Sequence, residues 1–412
     1  MTAPFAPQHG ERFDAARLRR VVLYSHDTMG LGHFRRNLLI ADALTGADPG
    51  TEVLMVTGLA CAGAFPLPPR VECLTLPGYA KDVEGAYRPR VFAMEADELA
   101  HLRAATIGAA LERFAPSLVV VDNVPLGAMG ELRPALEALG RRADARTVLG
   151  LRDIVDEPET TRREWAASGA LAQMEASYDA IWIYGDPQVF DARRAYAIAP
   201  SLAARMRFTG YLDRTAGLAD AAPGAIPAEP YVLCVVGGGQ DGVALAQAFL
   251  RAPAPPGHVR VLVAGPLMAP EDRAGLAALA RPGDIIHDFL PEPVPLMREA
   301  AALVCMGGYN TVCEVLGLDT PALVAPRTVP RLEQMVRAER LAARGLLDCL
   351  PPEGVEPQAI GLWLARATGA RHDRHGRIDR GALSRLPVLA QAVLAAPRRV
   401  KSPLAPLALA AE

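Results

Sequence analysis

One stretch near residue 300 limits what this chain can fold into more than any other. Ala301-Ala302-Leu303-Val304-Cys305 is an uninterrupted apolar run, the pattern of a strand buried on both faces. Gly307 and Gly308 then let the backbone turn sharply, and a helix is predicted to follow, with Asn310 and Thr311 in its first turn. Such a helix end offers unpaired N–H groups and positive potential, which suit a phosphate. Glu314 comes four residues after Asn310 and shares its helical face. A carboxylate at that depth is a good acceptor for the two hydroxyls of a ribose. A plain glycine turn with Glu314 solvated fits the same residues. Segment 321–324 reads as the next strand, and Glu333-Gln334 follows it.

The same plan occurs twice more. Residues 231–236 form an apolar strand that runs into Gly237-Gly238-Gly239-Gln240-Asp241-Gly242, with a helix predicted over 243–251. Four glycines in these six residues let backbone N–H groups approach a diphosphate closely; a tight turn is the structural alternative. Near the N-terminus, strand 20–25 feeds Asp27-Thr28-Met29-Gly30-Leu31-Gly32-His33, and a helix is predicted over 34–44. His33 stands at a helix start, where imidazole stays neutral more easily and serves as a base. Capping or packing of the turn is its other reading.

Further strands are predicted over 52–56, 71–76, 117–121, 147–151, 180–184, 207–211, 259–264 and 284–287. The stretch 77–90, rich in Gly, Tyr, Lys and Arg, reads as a surface loop. Helices are predicted over 95–114, 159–177, 294–299, 357–367 and 383–395. Asp122 and Asn123 follow one strand, and Arg152 and Asp153 another. Ligands in open α/β sheets bind beyond the carboxyl ends of strands, which turns these four toward a cleft, although strand termination and helix capping also fit.

The architecture implied is α/β, with two Rossmann-like doubly wound domains facing a central cleft. The boundaries read from composition are 1–214 for the first domain, 215–230 for an Ala/Gly/Pro-rich linker, 231–396 for the second domain and 397–412 for a mobile tail. The 412 residues suffice for two or three domains of ordinary size. A net charge of −3 implies no general attraction to nucleic acid. Six scattered cysteines without CxxC spacing read as reduced thiols. Residues 1–13 carry no signal-peptide apolar core, and no apolar stretch reaches the roughly 20 residues of a membrane span. A cytoplasmic protein is expected, with peripheral contact at the inner face of a membrane left open.

The second half resembles glycosyltransferase family 28, the peptidoglycan N-acetylglucosaminyltransferase-like group of GT-B glycosyltransferases, over roughly 231–347. The resemblance is carried by Gly237-Gly238-Gly239-Gln240, Phe289-Leu290, Gly307-Gly308-Tyr309-Asn310-Thr311-Val312-Cys313-Glu314, Pro321-Ala322-Leu323-Val324-Ala325-Pro326 and the Glu333-Gln334-Met335-Val336-Arg337-Ala338 helix. The first half matches only through Gly30-Leu31-Gly32-His33 and the strand plan. The first loop is poorer in glycine than the family's, and the family's apolar membrane-docking patch is not evident.

The resemblance implies that Glu314 holds the ribose of a nucleoside diphosphate sugar, with the uridine form first in line. The backbone around Leu290 would read the base. Gly308, Tyr309, Asn310 and Thr311 would bind the diphosphate, helped by Gly238, Gly239 and Gln240. Gln334 and Glu333 would hold sugar hydroxyls. His33 would take the proton of an acceptor hydroxyl, with Asp122 or Asp153 as the fallback base. A metal-independent, inverting transfer is expected, with no cofactor beyond the nucleotide sugar and no metal site. The acceptor, whether glycan, lipid-linked or small molecule, is left open. The competing readings are a nucleotide-sugar 2-epimerase or hydrolase, and a non-catalytic nucleotide-sugar-binding subunit of a transferase.

Overall fold

The computed structural model describes residues 20–27, 30–81, 86–215, 226–399 and 401. Thr28 and Met29, most of the predicted linker and most of the predicted tail lie outside the described residues, as does the predicted leaderless N-terminus. The first unit is built on Arg20–Ser25 (β1), Glu52–Thr57 (β2), Val71–Thr75 (β3), Tyr79–Lys81 (β4), Tyr87–Pro89 (β5), Leu118–Asp122 (β6), Arg146–Arg152 (β7), Ala180–Tyr184 (β8) and Met206–Phe208 (β9). Seven of these form one sheet in the order β3-β2-β1-β6-β7-β8-β9, with every pairing parallel. The second unit uses Tyr231–Val235 (β10), Val259–Val263 (β11), Ile285–His287 (β12), Ala302–Cys305 (β13), Ala322–Val324 (β14) and Asp348–Cys349 (β15), ordered β12-β11-β10-β13-β14-β15. Again all pairings are parallel.

In both sheets the first strand is central and the strand order reverses beside it. That reversal opens a crevice at the carboxyl ends of the strands. The central strands are apolar throughout because helices cover both faces; β6 and β10 are buried along their whole length.

Five helices matter for the site: Gly32–Ala47 (α1), Val243–Arg251 (α2), Tyr309–Leu316 (α3), Glu333–Ala342 (α4) and Ala382–Ala395 (α5). Phe34 and Leu44 of α1, Val312 and Leu316 of α3 and Leu386 of α5 belong to one apolar core that runs through both units.

Two departures from the sequence reading are local. Segment 77–90 contains the antiparallel pair β4–β5 rather than only loop. The helix predicted over 159–177 is two helices, Pro158–Ser168 and Ala170–Ser177, divided at Gly169, whose φ of +66° no helix interior accepts. A third difference is global. The last helix of the unit drawn as 231–396 crosses back and packs on α1 of the first unit. The chain that follows is held to the first unit: Arg398 donates to Gly140 O at 2.6 Å, Arg399 to Tyr178 O at 3.2 Å, and Lys401 lies 2.9 Å from Asp179.

Candidate functional site

A cavity of about 1450 Å³ lies between the carboxyl ends of the two sheets. Its first-unit wall begins at the turn after β1. Asp27 accepts hydrogen bonds there from Ser25 Oγ, from Thr57 Oγ1 at 2.5 Å and from the Phe34 amide at 3.0 Å. The last of these satisfies a free N–H in the first turn of α1. The start of the helix, and so His33, is fixed in place.

His33 Nδ1 lies against Asp122 Oδ2 at the end of β6. Arg36, one turn further along α1, donates to both Asp122 oxygens, at 2.8 and 2.5 Å, and its Nη2 is 2.9 Å from His33 Nδ1. Burial would raise the Asp122 carboxyl, but Arg36 and His33 outweigh it and hold the group well below the usual carboxylate range. Burial would lower the Arg36 guanidinium, and Asp122 more than compensates, so its pKa is raised. With the Nδ1 proton directed to Asp122, His33 presents Nε2 as the basic nitrogen on a cavity wall. Val124, Leu126, Met129 and Trp165 of the first unit also line the cavity.

The opposite wall belongs to the second unit. Gly239 has φ of +94°, and a Cβ there would come within 2.6 Å of Ala264 O. The loop therefore holds its shape only as glycine, and Gly238 and Gln240 beside it line the cavity. Helix α3 is preceded by Gly308 and has no side-chain cap, which leaves its first N–H groups without a side-chain partner, and Gly308 and Thr311 line the cavity. Thr311, Glu314, Leu290 and Gln334 line the same wall.

Several predicted residues have a second engagement. Tyr309 is 5% exposed, and its ring lies 5.4 Å from the Arg36 guanidinium and 5.7 Å from that of Arg337. Its hydroxyl is buried. Asn310 Nδ2 donates across the units to Gly32 O at 3.0 Å. Glu333 is 2% exposed and faces Arg327 at 3.0 Å and Arg152 at 3.7 Å. Gln334 Oε1 accepts from the Arg327 amide at 3.3 Å. Burial lowers the Arg152 guanidinium to about 10, against the opposing pull of Glu333.

Asp122 and Asp153 do not share one situation. Asp122 supports His33 from behind. Asp153 is 1% exposed and absent from the cavity lining. It is clasped by Arg337 at 2.7–3.1 Å and by Tyr211 Oη at 3.1 Å, and so is not brought to the place where an acceptor would sit.

The sequence reading assigned no role to Arg36, Arg337 or Arg214. Arg214 donates to Glu314 Oε1 at 2.9 and 2.5 Å. It also missed His26, which lines the cavity with a ring centroid 4.8 Å from that of His33. Burial, followed by the nearby His33, holds the His26 imidazole well below its ordinary pKa. Among the described residues no group of three or more His, Cys, Asp or Glu is arranged to hold a metal ion. No described helix is long and apolar enough to cross a membrane.

No family model matches the chain, and no curated protein does. Solved structures do match in fold. The kitacinnamycin glycosyltransferase superposes with a TM-score of 0.59 at 17% identity, over 92% of this chain and 100% of that one. VinC, a glycosyltransferase solved in complex with dTDP, gives 0.55 at 16% identity, over 91% and 95%. Spinosyn rhamnosyltransferase SpnG, complexed with spinosyn aglycone, gives 0.52 at 18% identity, over 92% and 96%. These likenesses establish the GT-B fold, as the sequence reading expected.

Proposed function

We propose that this chain is a glycosyltransferase that moves a sugar from a nucleoside diphosphate sugar to the hydroxyl of an acceptor bound beside His33. One observation carries the reading. His33, backed by the buried Asp122, and the uncapped start of α3 line the same cavity from opposite units. A base on one side and an anion-binding helix end on the other suit attack on an anomeric carbon with departure of a diphosphate.

The donor lies on the second unit in this reading. Glu314 meets the ribose, Leu290 the base, and the N–H groups of α3 with the Gly238–Gly239 loop meet the diphosphate. The positive potential of these groups develops its full effect as the leaving group gains charge, which is the basis for a metal-independent step. Glu333 and Gln334 contact sugar hydroxyls. The pattern of donor-side residues favours a site of the family 28 type and, with it, uridine diphosphate; the dTDP bound to VinC adds thymidine diphosphate as a second donor nucleotide.

His33 Nε2 removes the acceptor proton while Asp122 stabilises the imidazolium that results. A single displacement of this kind inverts the anomeric centre. The apolar wall of Val124, Leu126, Met129 and Trp165 favours transfer over epimerisation or hydrolysis, because a reaction on the donor alone has no use for it. It also favours a small, largely apolar acceptor, in keeping with the aglycone bound by SpnG.

The test is turnover of UDP-linked and dTDP-linked sugars with a panel of apolar hydroxyl acceptors, followed by mass spectrometry of the product. Release of nucleotide at equal rates with and without every acceptor would sink the transferase reading.

A further inference from the structure

The carboxylate of Glu314 is only half available to a ligand. Glu314 is 3% exposed, and Oε1 accepts from Arg214 Nε at 2.9 Å and from Arg214 Nη2 at 2.5 Å. A carboxylate oxygen has about two lone-pair directions, and both are taken. Among the described residues no hydrogen bond reaches Oε2.

Arg214 is held in this position from both sides. Its Nη1 donates to Glu292 Oε2 at 2.5 Å. Thr215 donates to Asp213 Oδ1 through its amide at 2.8 Å and to Gly317 O through its hydroxyl at 3.1 Å. Arg380 holds Asp213 Oδ2 at 3.1 Å, and Arg298 holds Thr215 O at 3.0 Å. The contact with the end of α3 is so close that a Cβ on Gly317 would lie 2.3 Å from Thr215 Oγ1.

We propose that Arg214 makes the donor site indifferent to the 2′-hydroxyl, so that ribo- and 2′-deoxyribonucleoside diphosphates bind about equally well. The proposal rests on Glu314 being the ribose carboxylate of the function proposed above. A carboxylate with both oxygens free grips two vicinal hydroxyls, one on each oxygen, and loses a contact when the 2′-hydroxyl is missing. With Oε1 occupied, Glu314 offers only Oε2; the 3′-hydroxyl common to both nucleotides takes its in-plane direction toward the ribose, and the 2′-hydroxyl is left without a carboxylate oxygen of its own. Arg214 is thus a positioning residue that sets nucleotide selectivity through Glu314.

The experiment is calorimetric titration of the full chain with UDP and with dUDP, which differ only in the 2′-hydroxyl. The wild-type Kd values are expected to agree within roughly threefold, less than the loss of one hydrogen bond to a charged group. Arg214→Met frees Oε1 and is expected to open a preference for UDP of roughly tenfold or more, that of one such bond. A loss of affinity common to both nucleotides, with their ratio unchanged in a folded Arg214→Met protein, would overturn the proposal. So would a tenfold preference for UDP in the wild type, and that measurement decides the matter alone if the variant does not fold. Absence of binding by either nucleotide would instead remove the donor reading itself, and this proposal with it.

Discussion

Arg337, on the helix that carries Gln334, forms a buried ion pair with Asp153 at the end of β7 in the other unit, with Nη2 2.7 Å from Oδ1. Both side chains are essentially inaccessible to water, at 0% and 2% exposure. The same guanidinium donates to Gly307 O at 2.9 Å, in the turn that precedes α3. One side chain thus connects the sheet of the first unit to the glycine turn before α3 in the second.

Removing that guanidinium leaves a carboxylate buried without its counter-charge. Arg337→Met is expected to destabilise the protein by about 3–5 kcal/mol, the range for a broken buried pair. Urea unfolding measures it. The double variant with Asp153→Asn is expected to recover part of the loss; equal stability of single and double variants would mean the pair carries no such coupling.

His33→Ala is expected to slow the chemical step by roughly 10²–10⁴-fold, the usual contribution of a positioned base. Nucleotide affinity, read by calorimetry, is expected to stay near wild type because the donor groups proposed above lie on the other unit. Loss of nucleotide affinity with an unchanged transfer rate at saturating donor would place His33 in the donor site instead.

Asp122 links the site to acid stability. Its folded pKa is depressed below the ordinary value of 3.8 by Arg36 and His33, against the opposing effect of burial. The stabilisation is therefore complete above pH 3.8 and fades as pH falls from there toward the folded value. Asp122→Asn is expected to lower Tm at neutral pH, and the gap to wild type is expected to narrow as pH falls below 3.8. A gap independent of pH down to the acid transition would contradict this.

The Glu314 carboxylate gives a direct donor test. Glu314→Ala is expected to weaken nucleoside diphosphate binding by roughly 1.5–3 kcal/mol, the range for a hydrogen bond to a charged group. Unchanged affinity in a folded variant removes Glu314 from the site.

Gly239→Ala tests the loop opposite. With φ of +94° and a carbonyl 2.6 Å from the added Cβ, the substitution is expected to cost roughly 1–3 kcal/mol of local strain. Lower Tm and weaker nucleotide binding are expected together. A drop in neither would show that the loop relaxes freely.

What the sequence discloses here and what it hides have different physical origins. Apolar runs ending in glycine announce β1, β10 and β13, because strand burial and a sharp turn leave composition signals within a few residues. His33 and Glu314 are found from the same local pattern. The arginines are hidden because their partners are remote: Arg337 meets Asp153 and Arg214 meets Glu314 only after both sheets have formed. Arg214 also stands at the edge of a stretch that composition reads as linker. His26 has the same cause, since nothing in its neighbours predicts its burial against His33. The return of α5 to the first unit is invisible because an amphipathic helix specifies that it must pack, not against which unit.

The return of α5 means that the chain passes between the units twice, and the two passages run side by side. Tyr211 donates to Asp379 O at 2.8 Å, and Leu212 pairs with Gly381 as an antiparallel bridge. A single strand between two bodies permits twist as well as bend. Two strands laced together act like the leather of a book spine, which resists sliding and wringing of the covers. Gly32 and Asn310, which meet across the units at 3.0 Å, are thereby tied by two crossings of the chain rather than one.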